Sequence, residues 1–163
     1  VCESSSSETS SSCPQDCAFE LITTISGGVS SYANMFDINV KGSDNVVIDQ
    51  IDINCKVAGT NNVEIHYRPG TYQGFETNAA AWVQLFNSAV DCESPGESTD
   101  SFTSVVLPVP VEISAGSYAF FVWVEQGIVY TRGIEEGLLY PGPGNHPHLD
   151  FFEGIGMSDK FSG

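Results

Sequence analysis

The chain reads as an all-β protein, an antiparallel β-sandwich with jelly-roll-like strand spacing, and three observations predict it. Short segments that alternate apolar and polar residues recur along most of its 163 residues. Turn chemistry separates them: Gly27-Gly28, Lys41-Gly42-Ser43-Asp44-Asn45, Pro69-Gly70 and Ala115-Gly116. No amphipathic helix longer than a turn or two interrupts the pattern. The start of the chain is different. Residues 1–13 are almost entirely serine, threonine and glutamate between two cysteines. Such a segment buries too little apolar surface to offset the entropy of ordering itself. The expected organisation is a Ser/Thr/Glu-rich arm over residues 1–17 and a sandwich domain over residues 18–163.

Pro14 breaks regular structure at the end of the arm. Ala18 to Ile25 has strand alternation, with Phe19, Leu21 and Ile25 on one face, so residues 18–26 are expected as an edge strand or one donated to a neighbouring subunit. Asn34 to Val40 is the next strand. Val46 to Val57 carries Ile51, Ile53, Cys55 and Val57 on one face and Gln50, Asp52, Asn54 and Lys56 on the other. Val63 to Arg68 places Val63, Ile65 and Tyr67 inward and Glu64, His66 and Arg68 outward. A longer connection, Thr71 to Ala81, leads to a strand from Trp82 to Val90 and an acidic loop from Asp91 to Asp100.

Ser104 to Ile113 aligns Val105, Leu107, Val109, Val111 and Ile113 on one face. Pro108 and Pro110 share the other, which marks an edge strand or a partly unpaired one. Tyr118 to Glu125 is apolar on both parities, the signature of a central strand covered on both faces. Val129 to Arg132 continues after Gly127, residues 137–147 are a Gly-, Pro- and His-rich loop, and Leu149 to Glu153 is a short last strand.

Charge narrows the partners. Twenty-one acidic residues against five basic ones give a net charge of −16, and Lys41, Lys56, Arg68, Arg132 and Lys160 stand apart from one another. No basic patch forms from neighbours in sequence, so nucleic acid is not an expected partner. The longest apolar run, Tyr118 to Val124, is strand-sized and far short of the roughly 18 residues a membrane-spanning helix needs. Membrane insertion is not expected. The chain begins at Val1 without an initiator methionine, as a processed mature protein does.

The cysteines are Cys2, Cys13, Cys17, Cys55 and Cys92. Without paired CxxC motifs they read as disulfide formers and point to an extracellular or cell-surface setting. Cys55 faces inward on its strand and Cys92 ends another, so Cys55–Cys92 is the expected bridge within the sandwich. Cys13–Cys17, or a bond from Cys2 into another subunit, would tether the arm. Five is odd, which leaves a free thiol, a cysteine bonded to its own copy, or a partner outside the chain.

Five segments resemble a domain that recurs in secreted proteins of diatoms, related algae and some bacteria. They are Asn34 to Ile38, Val63 to Tyr72, Asn78 to Trp82, Ile113 to Phe120 and Leu149 to Gly154, spread over residues 34 to 156. The resemblance implies a β-rich extracellular domain with no established catalytic residues. Domains of that kind continue past the Glu153-Gly154-Ile155-Gly156 region into a further strand. The resemblance thus implies an open ladder here, which the Phe19-Leu21-Ile25 segment has the alternation to fill in its own subunit or the next.

Catalytic patterns are sparse. His66, His146 and His148 have no nucleophile-elbow sequence beside them, and Asp49 and Asp52 lie on opposite strand parities, which points them apart. The chain is therefore not expected to be an enzyme. His146-Pro147-His148 is a weak transition-metal pattern. Calcium is the candidate cofactor, through loop oxygens at Asp44-Asn45, Asn61-Asn62, Glu93 to Asp100 and Glu135-Glu136, none in EF-hand spacing. Dense hydroxyls suit O-linked sugar on Ser4, Ser5, Ser6, Ser7, Thr9, Ser10, Ser11 and Ser12, and no Asn-x-Ser/Thr sequon occurs. Together these features predict a structural subunit of an extracellular glycosylated filament or cell-surface matrix, assembled from copies of itself through the arm. The alternative is a secreted carbohydrate-binding or adhesion module, calcium-dependent or not, stacking glycans on Tyr72, Phe75 and Trp82.

Overall fold

The computed structural model describes residues 19–23, 27–43, 45–93, 102–140 and 146–162. Seven strands carry its regular structure: β1 (Gly28–Val40), β2 (Val46–Ile53), β3 (Gly59–Pro69), β4 (Val83–Cys92), β5 (Thr103–Ile113), β6 (Gly116–Thr131) and β7 (Leu149–Met157). A single 3-10 turn, Ala79–Ala81, precedes β4. β4, β3, β6, β1 and β7 form a five-stranded antiparallel sheet in that order, and β2 pairs with β5 in a second sheet. The two sheets pack face to face as a sandwich.

β6 is the middle strand of the larger sheet, and its two parities explain the molecule. Phe120, Val122 and Val124 point toward the β2–β5 sheet. There they meet Ile53, Val105 and Leu107 at one end and Val46 and Ile113 at the other. Ala119, Phe121 and Trp123 point the opposite way, into a second core with Ala33, Met35, Tyr72, Trp82 and Met157. That second core is roofed by the connection after β3 and by the segment after β7, not by a sheet. The apolar character of both parities in Tyr118 to Glu125 follows from this double cover.

Bulges set which side chain reaches which core. In β7, two residues, Glu153 and Gly154, stand opposite Phe36 of β1. Leu149 and Phe151 before the bulge join the sandwich core, and Ile155 and Met157 after it join the second core, although all four share one parity. A Cβ on Gly154 would lie 1.8 Å from the Met35 carbonyl oxygen, so only glycine fits there. A bulge between Ile48 and Gln50 likewise lets Ile48 and Ile51 share a core, so parity does not separate Asp49 from Asp52. Both are exposed on the outer side of β2.

Several expectations change. Phe19 to Thr23 is not a strand. Within this chain Leu21 packs against the sandwich core and Phe19 stacks on His146; Ile25 lies outside the described residues. The strand expected to reach Val57 ends at Ile53, and Val57 is exposed. Val109 is 72% exposed, because residues 107–110 leave the ladder where Pro108 and Pro110 cannot donate to it. β7 runs four residues past Glu153. The Cys55–Cys92 disulfide is present and ties the end of β2 to the end of β4, with Cα atoms 6.0 Å apart.

Candidate functional site

Polar and aromatic side chains converge on the roofed face of the five-stranded sheet. The connection after β3 folds back through short backbone bonds: Phe75 N donates to Tyr72 O, Asn78 N to Phe75 O, and Ala81 N to Asn78 O. The Trp82 indole donates to Phe75 O at 3.1 Å and locks the returning end. Tyr72 and Trp82 are thereby delivered into the second core, 1% and 7% exposed. Phe75 is half-buried, with the Arg68 guanidinium carbon 3.5 Å above its ring. These three residues do not form an exposed stacking platform.

Asp37, outward from β1, anchors this roof. Its carboxylate accepts from Thr71 Oγ1 at 2.6 Å and from Tyr72 N at 3.1 Å. Burial holds the Asp37 carboxyl above the usual carboxylate range, and the two hydrogen bonds and Arg68 only partly offset that. The Tyr72 hydroxyl donates to Glu136 at 2.8 Å, and Arg68 donates to the Thr71 carbonyl. Burial, then the Glu136 carboxylate, raise the Tyr72 phenol well above its ordinary value, so it stays a donor at every physiological pH.

A second cluster lies farther along the same face. Glu64 accepts from Lys160 Nζ at 2.6 Å and pairs with His66 Nε2 at 3.3 Å. Burial works to raise the Glu64 carboxyl, but the bonds from Lys160 and His66 outweigh it and hold it below the ordinary value. His66, expected on the outward face of its strand, is only 8% exposed. Phe161 meets it edge-on at 5.3 Å and stacks on Phe121 at 4.4 Å. Burial therefore keeps the imidazole below its ordinary pKa, with Glu64 pulling the other way. Lys160 Nζ also sits 3.7 Å over the Trp123 ring. Nothing in the alternation of Val63 to Arg68 revealed this cover, because the residues that supply it lie almost a hundred positions later.

The remaining candidates are placed as follows. The His146 and His148 rings are 5.3 Å apart, but Phe19 stacks on His146 at 3.8 Å and the His148 amide donates to His146 Nδ1. Burial, then His148 and Lys41, lower the His146 pKa. Asn61 is buried as a strut, donating to Val57 O and Gly59 O and accepting from Gln126 N. Glu153 accepts from the amides of Ile134 and Glu135 at 2.5 and 2.9 Å and braces the turn after β6. Among the described residues no three His, Cys, Asp or Glu side chains are grouped to hold a metal ion. Asp44, Cys2, Cys13, Cys17 and the serines and threonine of the arm lie outside the described residues, as do residues 94–101. No helix among the described residues is long and apolar enough to cross a membrane.

Chemically, both clusters behave as fasteners. Thr71, the hydroxyl nearest a carboxylate, is committed to Asp37, and His66 is committed to Glu64 with aromatic rings against it. Met35, Asp37, Tyr72, Trp82 and Ala119, far apart in sequence, meet in this one region. No family model, no curated protein and no solved structure matches the chain.

Proposed function

We propose that this chain is a structural subunit of an extracellular, glycosylated filament or cell-surface matrix, joined to its neighbours through residues 1–17. One observation carries the reading. Cys55–Cys92 consumes two of five cysteines, and the three that remain, Cys2, Cys13 and Cys17, all belong to the arm. Three cannot be fully paired among themselves, so at least one has its partner outside these 163 residues or stays a thiol. An intact disulfide fits an oxidising compartment, where a spare cysteine is available to cross-link. The hydroxyl-rich arm carries O-linked sugar outward from the body.

The body supports the same role. Asp37, Glu64, Asn61 and Glu153 are spent on pinning roofs and turns, and the reading gives none of them a catalytic part. The glycan-stacking alternative loses its platform with the burial of Tyr72 and Trp82.

The test is the mass of the native material without and with reductant, followed by mapping of disulfide-linked peptides and chemical deglycosylation. Expected are a polymer that reduction shortens, linked peptides joining arm cysteines of two chains, and sugar-sized losses from Ser4 to Ser12. A bare 17.5 kDa monomer without reductant would remove the proposal.

A further inference from the structure

The end of the molecule where β1 begins and β7 stops holds a cleft of about 380 Å³, within the size range of ligand sites. It exists because the ladder between β1 and β6 opens there. Ser31 pairs with Ile128 and Ala33 with Trp123, so four residues of β6, 124–127, stand against the single residue Tyr32. Two glycines keep the space clear. A Cβ on Gly127, whose φ is +99°, would lie 3.0 Å from Lys56 Cδ and from the Ser31 carbonyl oxygen. A Cβ on Gly156 would lie 2.0 Å from the Tyr130 hydroxyl, so only glycine lets that hydroxyl approach β7. Lys56 is fixed at the cleft by its own amide, which donates to Gly127 O at 2.9 Å.

The polar groups that line this cleft are uncommitted. Among the described residues the Lys56 ammonium and the hydroxyls of Tyr32 and Tyr130 have no hydrogen-bond or ion-pair partner. The chain carries 21 acidic residues, yet among the described residues none of them lines the cleft, and Lys56 is its one charge. The other cations are placed differently. Lys41 and Lys160 pair with Asp150 and Glu64, and Arg68 donates to the Thr71 carbonyl. Arg132 lines a neighbouring depression together with Glu135, Glu136 and Glu153.

We infer that this cleft binds a sugar ring carrying one carboxylate, a hexuronic acid residue. Each part of that ligand answers a group on the page. Tyr32, 49% exposed, offers an aromatic face to the C–H face of a pyranose. Tyrosine hydroxyls both donate and accept, as sugar hydroxyls do, so they pair in either sense. Lys56 supplies a single positive charge, which matches one carboxylate. A more highly charged anion would meet the repulsion of a chain of net charge −16 with no second cation to offset it. The inference goes beyond the filament reading and does not depend on the arm.

The experiment is a calorimetric titration of the full chain at low salt with glucuronate, glucose and acetate, with hydrogen exchange to locate the site. Glucuronate is expected to bind roughly threefold tighter than glucose or more, and to protect residues 30–32 and 127–130. Acetate is expected not to bind at the concentration that saturates with glucuronate. Lys56→Gln should reduce glucuronate binding to that of glucose, Tyr32→Ala should weaken both sugars, and Arg132→Gln should change neither. Binding of no probe, equal binding of the two sugars by the native chain, acetate binding as glucuronate does, or equal losses in Lys56→Gln and Arg132→Gln would overturn the inference. Native material separates two sources of such a sugar. A site already filled there and opened by deglycosylation assigns a sugar carried by the chain itself, and a site open from the start assigns one from outside it. Polymer without sugar binding would overturn this inference alone, and sugar binding by a chain that forms no polymer would overturn the filament reading alone.

Discussion

The two faces of the five-stranded sheet are built on opposite principles. The face toward β2 and β5 is closed by strand against sheet, with aliphatic and phenylalanine side chains and one disulfide. The opposite face is closed by two irregular segments, 71–82 and 158–162, and its core is laced with Asp37, Glu64, His66, Arg68 and Lys160. A sheet covers its partner with a surface that is apolar at every second residue. A loop brings its own backbone polar groups, which need partners once buried. Carboxylates and hydroxyls are therefore required under the roof and superfluous inside the sandwich.

Adjacent residues of β6 give the sharpest way to probe that difference. Phe120→Ala and Phe121→Ala each remove a fully buried ring, at an expected cost of about 3–5 kcal/mol in urea unfolding. Only Phe121→Ala should also raise hydrogen exchange across 158–162, because Phe161 rests on that ring. Equal exchange in the two variants would mean that the roof is not held by the face it covers.

The disulfide comes next. Replacing Cys55 and Cys92 with alanine opens a loop of 37 residues and is expected to cost about 3–4 kcal/mol, read as a lower urea midpoint. Tyr72→Phe removes one hydrogen bond from the roof while keeping its packing, and about 1 kcal/mol is expected from the same measurement.

The smallest expected effect is pH-dependent. His66 has its pKa depressed in the fold, so the unfolded chain takes up a proton first. Its contribution is complete above the ordinary value of 6.5 and is lost as pH falls through the folded pKa. Glu64, also depressed, acts in the same direction at lower pH, and Asp37, raised, acts in the opposite one. Stability should decline between pH 7.5 and 5, and His66→Gln should flatten that decline. An unchanged slope in the variant would assign it to groups outside the roof.

Legibility in the sequence divides along the same line. Alternation located most strands, the central place of Tyr118 to Glu125 and the inward position of Cys55, because period-2 patterning is the imprint of a sheet packed on a sheet. It failed at Glu64, His66 and Arg68, where polar residues face a cover supplied by Phe75, Lys160 and Phe161. It failed again at Asp49 and Glu153–Gly154, where a bulge transfers the following residues to the other face and breaks the period of two. The aromatic trio Tyr72, Phe75 and Trp82 was recognisable as a group, but the hydrogen bond from Trp82 to Phe75 O that turns it inward is not written in residue type.

The neighbourhood of β1 and β7 has a mechanical consequence. Ala33 lies opposite Met157 and Val40 opposite Leu149, so the chain enters β1 and leaves β7 at the same pole of the body. Tension applied between those two points would meet the β1–β7 ladder from its end and part it rung by rung, the direction in which a sheet is weakest, while shear would load every rung at once. A molecule pulled in this way would yield early and lengthen. The Cys55–Cys92 bond would then withhold the 37 residues between its ends, about 120 Å of extended chain, and act as a stop on the stretch.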